Sequence, residues 1–189
     1  MRIGVLALQG AFREHAEVLS ALGVEAVLVK LPAHLNDVDA IVLPGGESTT
    51  QDKLLTTSEL REPLAIAVRS GMPCFATCAG VILLATEVLD GRPDQTPLGL
   101  LDISVRRNGY GRQIDSFEAP LEIGVVGPGD FPGVFIRAPK IERLGSGEVL
   151  AMHHDSPVLL RDGAIWGATF HPELSRDSRL HQQFVAQCS

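Results

Sequence analysis

The chain has 189 residues, 45% of them hydrophobic, with 16 Lys and Arg against 23 Asp and Glu, a net charge of −7. This length predicts one compact domain over residues 1–189 and leaves no room for a second catalytic domain. The acidic balance disfavours nucleic acid and anionic membranes as partners, because both require a basic face. Three cysteines are too few for a disulfide framework, which favours a reducing, cytoplasmic location.

The first half of the chain alternates strand patterns with helix patterns. Residues 2–8 form a β-prone run, and apolar residues then recur at helical spacing until Gly23. Further strands are predicted at 25–29, 40–43 and 73–77. Ser58 is interpreted as the N-cap of a helix over 59–69, and another helix is expected at 79–85. This alternation predicts a parallel α/β sheet.

The second half of the chain has shorter strands separated by turn signals such as Asp162-Gly163. Strands are predicted at 103–106, 121–126, 134–137, 148–152, 158–161 and 164–170, and a last helix at 177–187. We therefore expect an α/β three-layer sandwich, in which a mostly parallel central sheet carries an antiparallel extension.

Small residues surround one cysteine at the end of a predicted strand, in Ala76-Thr77-Cys78-Ala79-Gly80. A nucleophile on a tight strand-to-helix elbow needs small neighbours to stand clear of the sheet. The N-terminus of the following helix favours the thiolate. Cysteine is also a common small buried hydrophobe, so at this point the nucleophile and the core residue remain equal alternatives.

The sequence His171-Pro172-Glu173 follows the last predicted strand. Residues two apart in an extended segment point the same way, so the Glu173 carboxylate can orient the His171 imidazole. Because Cys78 also follows a strand, the three residues should meet at the carboxyl edge of the parallel sheet as nucleophile, base and orienting acid. The alternative is a surface His-x-Glu that occurs by chance.

Two glycines, Gly45 and Gly46, end the strand predicted at 40–43. Neither a Walker motif nor G-x-G-x-x-G is present, so nucleotide binding has little support. An N–H group of this turn, together with that of Ala79, can instead form an oxyanion hole for a tetrahedral intermediate. A plain turn is the alternative.

Taken together, these motifs resemble the class I, triad-type glutamine amidotransferases, through residues 45–50, 77–80 and 170–174. More narrowly, the chain is similar to the family of glutaminase subunits of pyridoxal 5′-phosphate synthases. The narrower similarity rests on residues 5–10, 13–15, 107–113, 115–118 and 133–139. The resemblance implies a flavodoxin-like fold. This chain departs from the family at Ala76, where glycine is usual.

The resemblance also implies roles for individual residues. The triad would be Cys78, His171 and Glu173, with Gly45, Gly46 and Ala79 at the oxyanion hole. Glutamine would be held by Gly46, Glu47, Ser48, Arg107, Ile136 and Arg137. We expect no metal and no cofactor, since adjacent residues of the run His153-His154-Asp155 would point to opposite faces of a strand.

The implied activity is hydrolysis of L-glutamine to L-glutamate and ammonia through a cysteinyl thioester. The ammonia would pass to a separate synthase subunit that makes pyridoxal 5′-phosphate, in a ring decorated by several glutaminase copies, and docking would complete the oxyanion hole. Two alternatives stay open at this stage. One is the glutaminase subunit of another pathway, such as histidine biosynthesis. The other is a non-catalytic redox module that uses Cys78 as a sensor.

Overall fold

The computed structural model describes residues 1–109 and 116–188. Residues 110–113 and 115, which belong to the narrower resemblance, lie outside the described residues. In the described part of the chain, no helix combines the length and the apolarity needed to cross a membrane.

The described residues form twelve strands, five α-helices and three short 3₁₀ turns. The strands are β1 (Arg2–Leu6), β2 (Glu25–Val29), β3 (Ala40–Leu43), β4 (Cys74–Thr77), β5 (Ala85–Val88), β6 (Leu101–Arg106), β7 (Ser116–Leu121), β8 (Phe131–Ile136), β9 (Lys140–Leu144), β10 (Glu148–His153), β11 (Ser156–Asp162) and β12 (Ile165–Ala168). The helices are α1 (Phe12–Ala21), α2 (Ser48–Thr57), α3 (Arg61–Arg69), α4 (Ala79–Leu84) and α5 (Arg179–Gln187), and the 3₁₀ turns are Pro32–Asp37, Gly124–Val126 and Pro172–Leu174.

The central sheet has seven strands in the order β10-β11-β12-β4-β3-β1-β2. The five strands from β12 to β2 are parallel, and β10, β11 and β12 pair antiparallel. The parallel part has the flavodoxin-like order 2-1-3-4-5, with β12 as the fifth strand. Thr77 is in register with Ala168, and Ala76 with Leu43, so β3, β4 and β12 end at the same edge.

Helices cover both faces of this sheet. Side chains alternate between the faces, so Val42 and Phe75 belong to one apolar cluster, whereas Leu43 belongs to the other. The first cluster packs against α1 and α5, and the second against α2, α3 and α4. The expected α/β sandwich with a mostly parallel sheet and an antiparallel extension is confirmed. Two small sheets, β5-β6-β9 and β7-β8, pack on opposite faces of the central sheet.

Two expectations from the sequence were wrong. Ser58 does not begin a helix: it ends α2, and the following helix starts at Arg61. The strand expected at 121–126 is also absent, because β7 ends at Leu121 and Gly124–Val126 is a 3₁₀ turn.

Candidate active site

Cys78 lies on the elbow between β4 and α4. Its backbone has φ 45° and ψ −104°, a conformation that residues with a side chain rarely adopt. Such a conformation costs about 1–3 kcal/mol and is found mainly at functional sites. The elbow is tight because α4 packs on β3: a Cβ on Gly80 would collide with the carbonyl oxygen of Leu43. Ala76 stays in β4 with negative φ, so its methyl group is tolerated there.

His171 and Glu173 form a buried hydrogen-bonded pair beyond the end of β12. His171 Nδ1 lies 2.7 Å from Glu173 Oε1, and the two residues are 6% and 5% exposed. Because a carboxylate only accepts hydrogen bonds, the imidazole donates from Nδ1 and leaves Nε2 for Cys78. His171 precedes the 3₁₀ turn Pro172–Leu174, so a turn brings the two side chains together where the sequence suggested an extended segment.

The surroundings of His171 favour its protonated form. Burial lowers its pKa, but hydrogen bonds and charge interactions with Cys78 and Glu173 outweigh burial and raise the pKa to about 10. For Glu173, burial acts to raise the pKa, yet interactions with His15 and His171 hold it below its ordinary value. The arrangement is therefore suited to an imidazolium between a thiolate and a carboxylate.

The Gly45-Gly46 turn reaches into the same site. The Gly45 N–H donates to Thr77 Oγ1 at 3.0 Å, so this group is already bonded and does not face the site as an oxyanion donor. Gly45 instead allows close packing, since a Cβ there would collide with the imidazole ring of His171. Among the described residues no hydrogen-bond partner is seen for the N–H of Gly46 or Ala79, which leaves these two as candidate oxyanion donors.

A cavity of about 300 Å³ opens in front of Cys78 and His171. All six residues expected to hold glutamine line it, namely Gly46, Glu47, Ser48, Arg107, Ile136 and Arg137. Sequence reasoning missed three further lining residues, Gln9, Ile82 and Asn108. The available signal for Gln9 was its position just past β1, whose carboxyl end lies at the same edge of the sheet.

Glu47 and Arg107 form an ion pair at the rim of this cavity. Arg107 Nη2 donates to Glu47 Oε1 at 2.8 Å. The Glu47 carboxylate also caps α2 by accepting the N–H groups of Thr49 and Thr50. Although burial acts in the opposite direction, the hydrogen bonds from these threonines lower the pKa of Glu47 to about 2. The ionised carboxylate of Glu47 and the guanidinium of Arg107 are therefore held side by side.

The end of β8 closes the cavity on the side of the thiol. Cys78 Sγ lies 3.8 Å from the carbonyl oxygen of Ile136. The next residue, Arg137, has φ 45°, so its backbone is also in the left-handed region. Across residues 1–109 and 116–188, no group of three or more His, Cys, Asp or Glu is arranged to hold a metal ion.

A doubly wound sheet with an elbow cysteine and a His-Glu pair at its carboxyl edge is the architecture of the class I glutamine amidotransferases. A solved structure described as "Crystal structure of glutamine amidotransferase" matches the chain with a TM-score of 0.92 and 48% identity, over 98% of each chain. The chain belongs to the SNO glutamine amidotransferase family, whose family model matches residues 5–189.

Two relatives carry a more specific description. The chain is 51% identical over 186 residues to the "Pyridoxal 5′-phosphate synthase subunit PdxT" of Thermotoga neapolitana, spanning 98% of this chain and 98% of that protein. It is 54% identical over 186 residues to the subunit of the same name from Frankia alni, spanning 97% of this chain and 93% of that protein.

Proposed function

We propose that this chain hydrolyses L-glutamine and supplies the ammonia to a separate synthase subunit that makes pyridoxal 5′-phosphate. The observation that carries the proposal is the hydrogen-bonded His171-Glu173 pair beside the elbow Cys78, at the mouth of a cavity lined by every residue expected to hold glutamine. The names of the relatives support the pathway and favour it over histidine biosynthesis or a redox module.

The chemistry starts with attack of the Cys78 thiolate on the amide carbon of glutamine. The negative charge that develops on the amide oxygen is stabilised by hydrogen bonds that the N–H groups of Gly46 and Ala79 donate to it. The carbon–nitrogen bond then breaks as His171 gives its proton to the leaving nitrogen, which releases ammonia and leaves a glutamyl thioester.

The second half of the reaction regenerates the thiolate. Water gives a proton to the imidazole of His171 and attacks the thioester carbon, and the carbon–sulfur bond breaks to release glutamate. Glu173 keeps the imidazole in one tautomer throughout, because its carboxylate accepts a hydrogen bond from the Nδ1–H.

The rim of the cavity is matched to the other end of the substrate. Glutamine carries an α-carboxylate and an α-ammonium group, and Arg107 and Glu47 present the opposite charges 2.8 Å apart. An arginine binds a carboxylate well through its planar fork of donors. The remaining contacts would come from Ser48 and from the backbone of Ile136 and Arg137.

The ammonia acceptor would be a partner protein in the cytoplasm. We propose a synthase ring that carries several copies of this chain, and docking to it would complete the oxyanion hole by aiming the N–H groups of both Gly46 and Ala79 at the substrate oxygen. Losing one oxyanion donor typically costs about 10²–10³ in rate, so the isolated chain should hydrolyse glutamine poorly.

The test is glutamine turnover by the purified chain with and without the synthase subunit. We expect Cys78→Ala to abolish ammonia release while glutamine still binds, and Cys188→Ala, at the far end of the chain, to behave as the wild type. Amide-labelled ¹⁵N-glutamine should place ¹⁵N in pyridoxal phosphate. Ammonia release by Cys78→Ala in the complex would contradict the triad, and absence of the label from the product would contradict the pathway.

A further inference from the structure

Two buried imidazoles stand behind the His171-Glu173 pair. His15 on α1 and His181 on α5 are both 0% exposed, and His15 Nδ1 lies 3.0 Å from His181 Nε2. The other ring nitrogen of His15, Nε2, lies 3.0 Å from Thr77 Oγ1 and 3.3 Å from Glu173 Oε2. The mechanism described above uses neither histidine.

The carboxylate of Glu173 has one oxygen that the catalytic pair leaves unused. Oε1 accepts from His171, whereas Oε2 is buried and has no hydrogen-bond partner among the described residues. A buried carboxylate oxygen without a donor is costly, so a nearby N–H should turn towards it. His15 Nε2 occupies that position.

The tautomer of His15 follows from the same contacts. A proton on Nε2 donates to Thr77 Oγ1 and also lies beside the Glu173 carboxylate, and Nδ1 then accepts the N–H of His181 Nε2. The opposite tautomer would set a lone pair of His15 against the Glu173 carboxylate. It would also leave an N–H at His181 Nδ1, a buried atom without a partner among the described residues.

Charge considerations agree with a neutral pair of histidines. Burial lowers the pKa of His15, and the charge of Glu173 acts in the opposite direction. His171 and Glu14 are the other charged groups that act on it. Burial, the charge of His15 and the opposing charge of Glu173 bring the pKa of His181 to about 3. His15 therefore supplies a directed N–H dipole and adds no second cation beside His171.

We propose that His15, backed by His181, is a positioning residue that holds Glu173 in the orientation required by His171. Its Nε2–H, which is hydrogen-bonded to Thr77 Oγ1, also lies 3.3 Å from the free oxygen of the carboxylate and attracts it, so that the other oxygen stays on the imidazole of His171. The same nitrogen contacts Thr77 Oγ1, which accepts the N–H of Gly45. One imidazole thus holds both the acid of the triad and the glycine turn. This inference rests on the proposed function.

The test compares two variants that place an amide N–H at different ends of the imidazole. In His15→Gln the side-chain amide reaches the position of Nε2, towards Glu173, whereas in His15→Asn it reaches only the position of Nδ1, towards His181. Leu19→Ala is the matched control, because Leu19 is a fully buried apolar residue on the same helix. Circular dichroism checks that each full-length variant is folded.

The first measurement is the pH dependence of Cys78 alkylation by iodoacetamide, followed by mass spectrometry of the Cys78 peptide. If Glu173 is displaced, the protonated form of His171 becomes less stable. The Cys78 thiolate that pairs with it then becomes less stable as well. We expect His15→Asn to move the alkylation profile to higher pH by about one unit, the scale of one hydrogen bond to a charged group. His15→Gln and Leu19→Ala should keep the wild-type profile.

The second measurement is glutamine hydrolysis in the presence of the synthase subunit. We expect His15→Asn to lower kcat on the order of tenfold with KM little changed, as for other residues that orient a functional histidine. A wild-type alkylation profile in His15→Asn would overturn the proposal, as would an equal shift in Leu19→Ala. Failure of both His15 variants to fold, when Leu19→Ala folds, would also overturn it. If the wild-type complex releases no ammonia, the proposed function fails, and the alkylation comparison still decides the role of His15.

Discussion

Removing the thiol of Cys78 should lower the pKa of His171, because Cys78 is one of the two side chains that stabilise the imidazolium. The pKa of His171 is raised from 6.5 to about 10 against the effect of burial, through hydrogen bonds and charge interactions with Cys78 and Glu173. At about 1.4 kcal/mol per pKa unit, this shift amounts to about 5 kcal/mol in favour of the protonated ring.

The expected size of the change follows from these partners. In Cys78→Ala the pair with Glu173 remains at 2.7 Å, while both interactions with sulfur disappear and the ring stays buried. If the two partners contribute similarly, the pKa falls by at least about two units, because their joint effect has to offset burial as well as produce the net shift. The pKa of His171 in this variant stays above the ordinary value of histidine if the interaction with Glu173 alone is larger than the effect of burial.

The assay is an NMR titration of ¹⁵N-labelled histidine side chains in the wild type and in Cys78→Ala. His34 lies on the 3₁₀ turn Pro32–Asp37, where its Nδ1 accepts the N–H of Lys30, and it is the internal control whose resonances should be the same in both proteins. Equal pKa values for His171 in the two proteins would refute the reasoning, because the sulfur would then have no electrostatic contact with the ring.

Two further substitutions probe the substrate site and the glycine turn. Arg107→Met removes the guanidinium beside Glu47 and, since a hydrogen bond to a charged group contributes about 1.5–3 kcal/mol, should raise KM for glutamine by about ten- to hundredfold with a smaller effect on kcat. KM is measured by steady-state glutaminase kinetics with the synthase present. An unchanged KM would show that Arg107 does not bind the substrate. Gly45→Ala sets a methyl group against the ring of His171 and should lower both the melting temperature and kcat, with a loss of about 1–3 kcal/mol in the free energy of unfolding. Thermal and urea denaturation measure the loss, and wild-type stability with full activity would show that the turn can move aside.

The meeting of Cys78 and His171 was predictable because it depends on a rule of parallel sheets. Strands β4 and β12 are neighbours in register, so residues that follow them reach the same edge. The pairing of His171 with Glu173 was also predicted, but for a different reason, since a 3₁₀ turn and not an extended strand brings the side chains together. Because the two residues are only two positions apart, the predicted pairing was right although the predicted backbone conformation was not.

Helix α2 was missed because its signals are unusual. Its sequence is mostly polar, with Leu54 and Leu55 as its apolar side chains, and it is capped by Glu47, which is not among the residue types favoured at an N-cap. Ser58 does belong to a favoured type, yet it ends this helix. Local propensity therefore made Ser58 the first cap of a helix, whereas it is the last cap of the helix before it, which the sequence did not predict.

Neither the contacts of His15 nor the hydrogen bond donated by the Gly45 N–H could be predicted from the sequence. His15 lies on the buried face of α1, and its partners come from β4, α5 and the turn after β12. Likewise, the bond from Gly45 to Thr77 joins the ends of two different strands. Contacts of this kind depend on how separate elements pack, which no local pattern encodes.

The place of β12 in the sheet also bears on the order of events during synthesis. This strand is made after strands β1 to β11, which precede it in the chain, yet it lies between β4 and β11 and delivers His171 to Cys78. A nascent chain that has emerged only as far as β11 has its thiol but no imidazole to ionise it. The nucleophile thus gains its base only when the last strand inserts, so a growing polypeptide on the ribosome does not carry the assembled reactive pair.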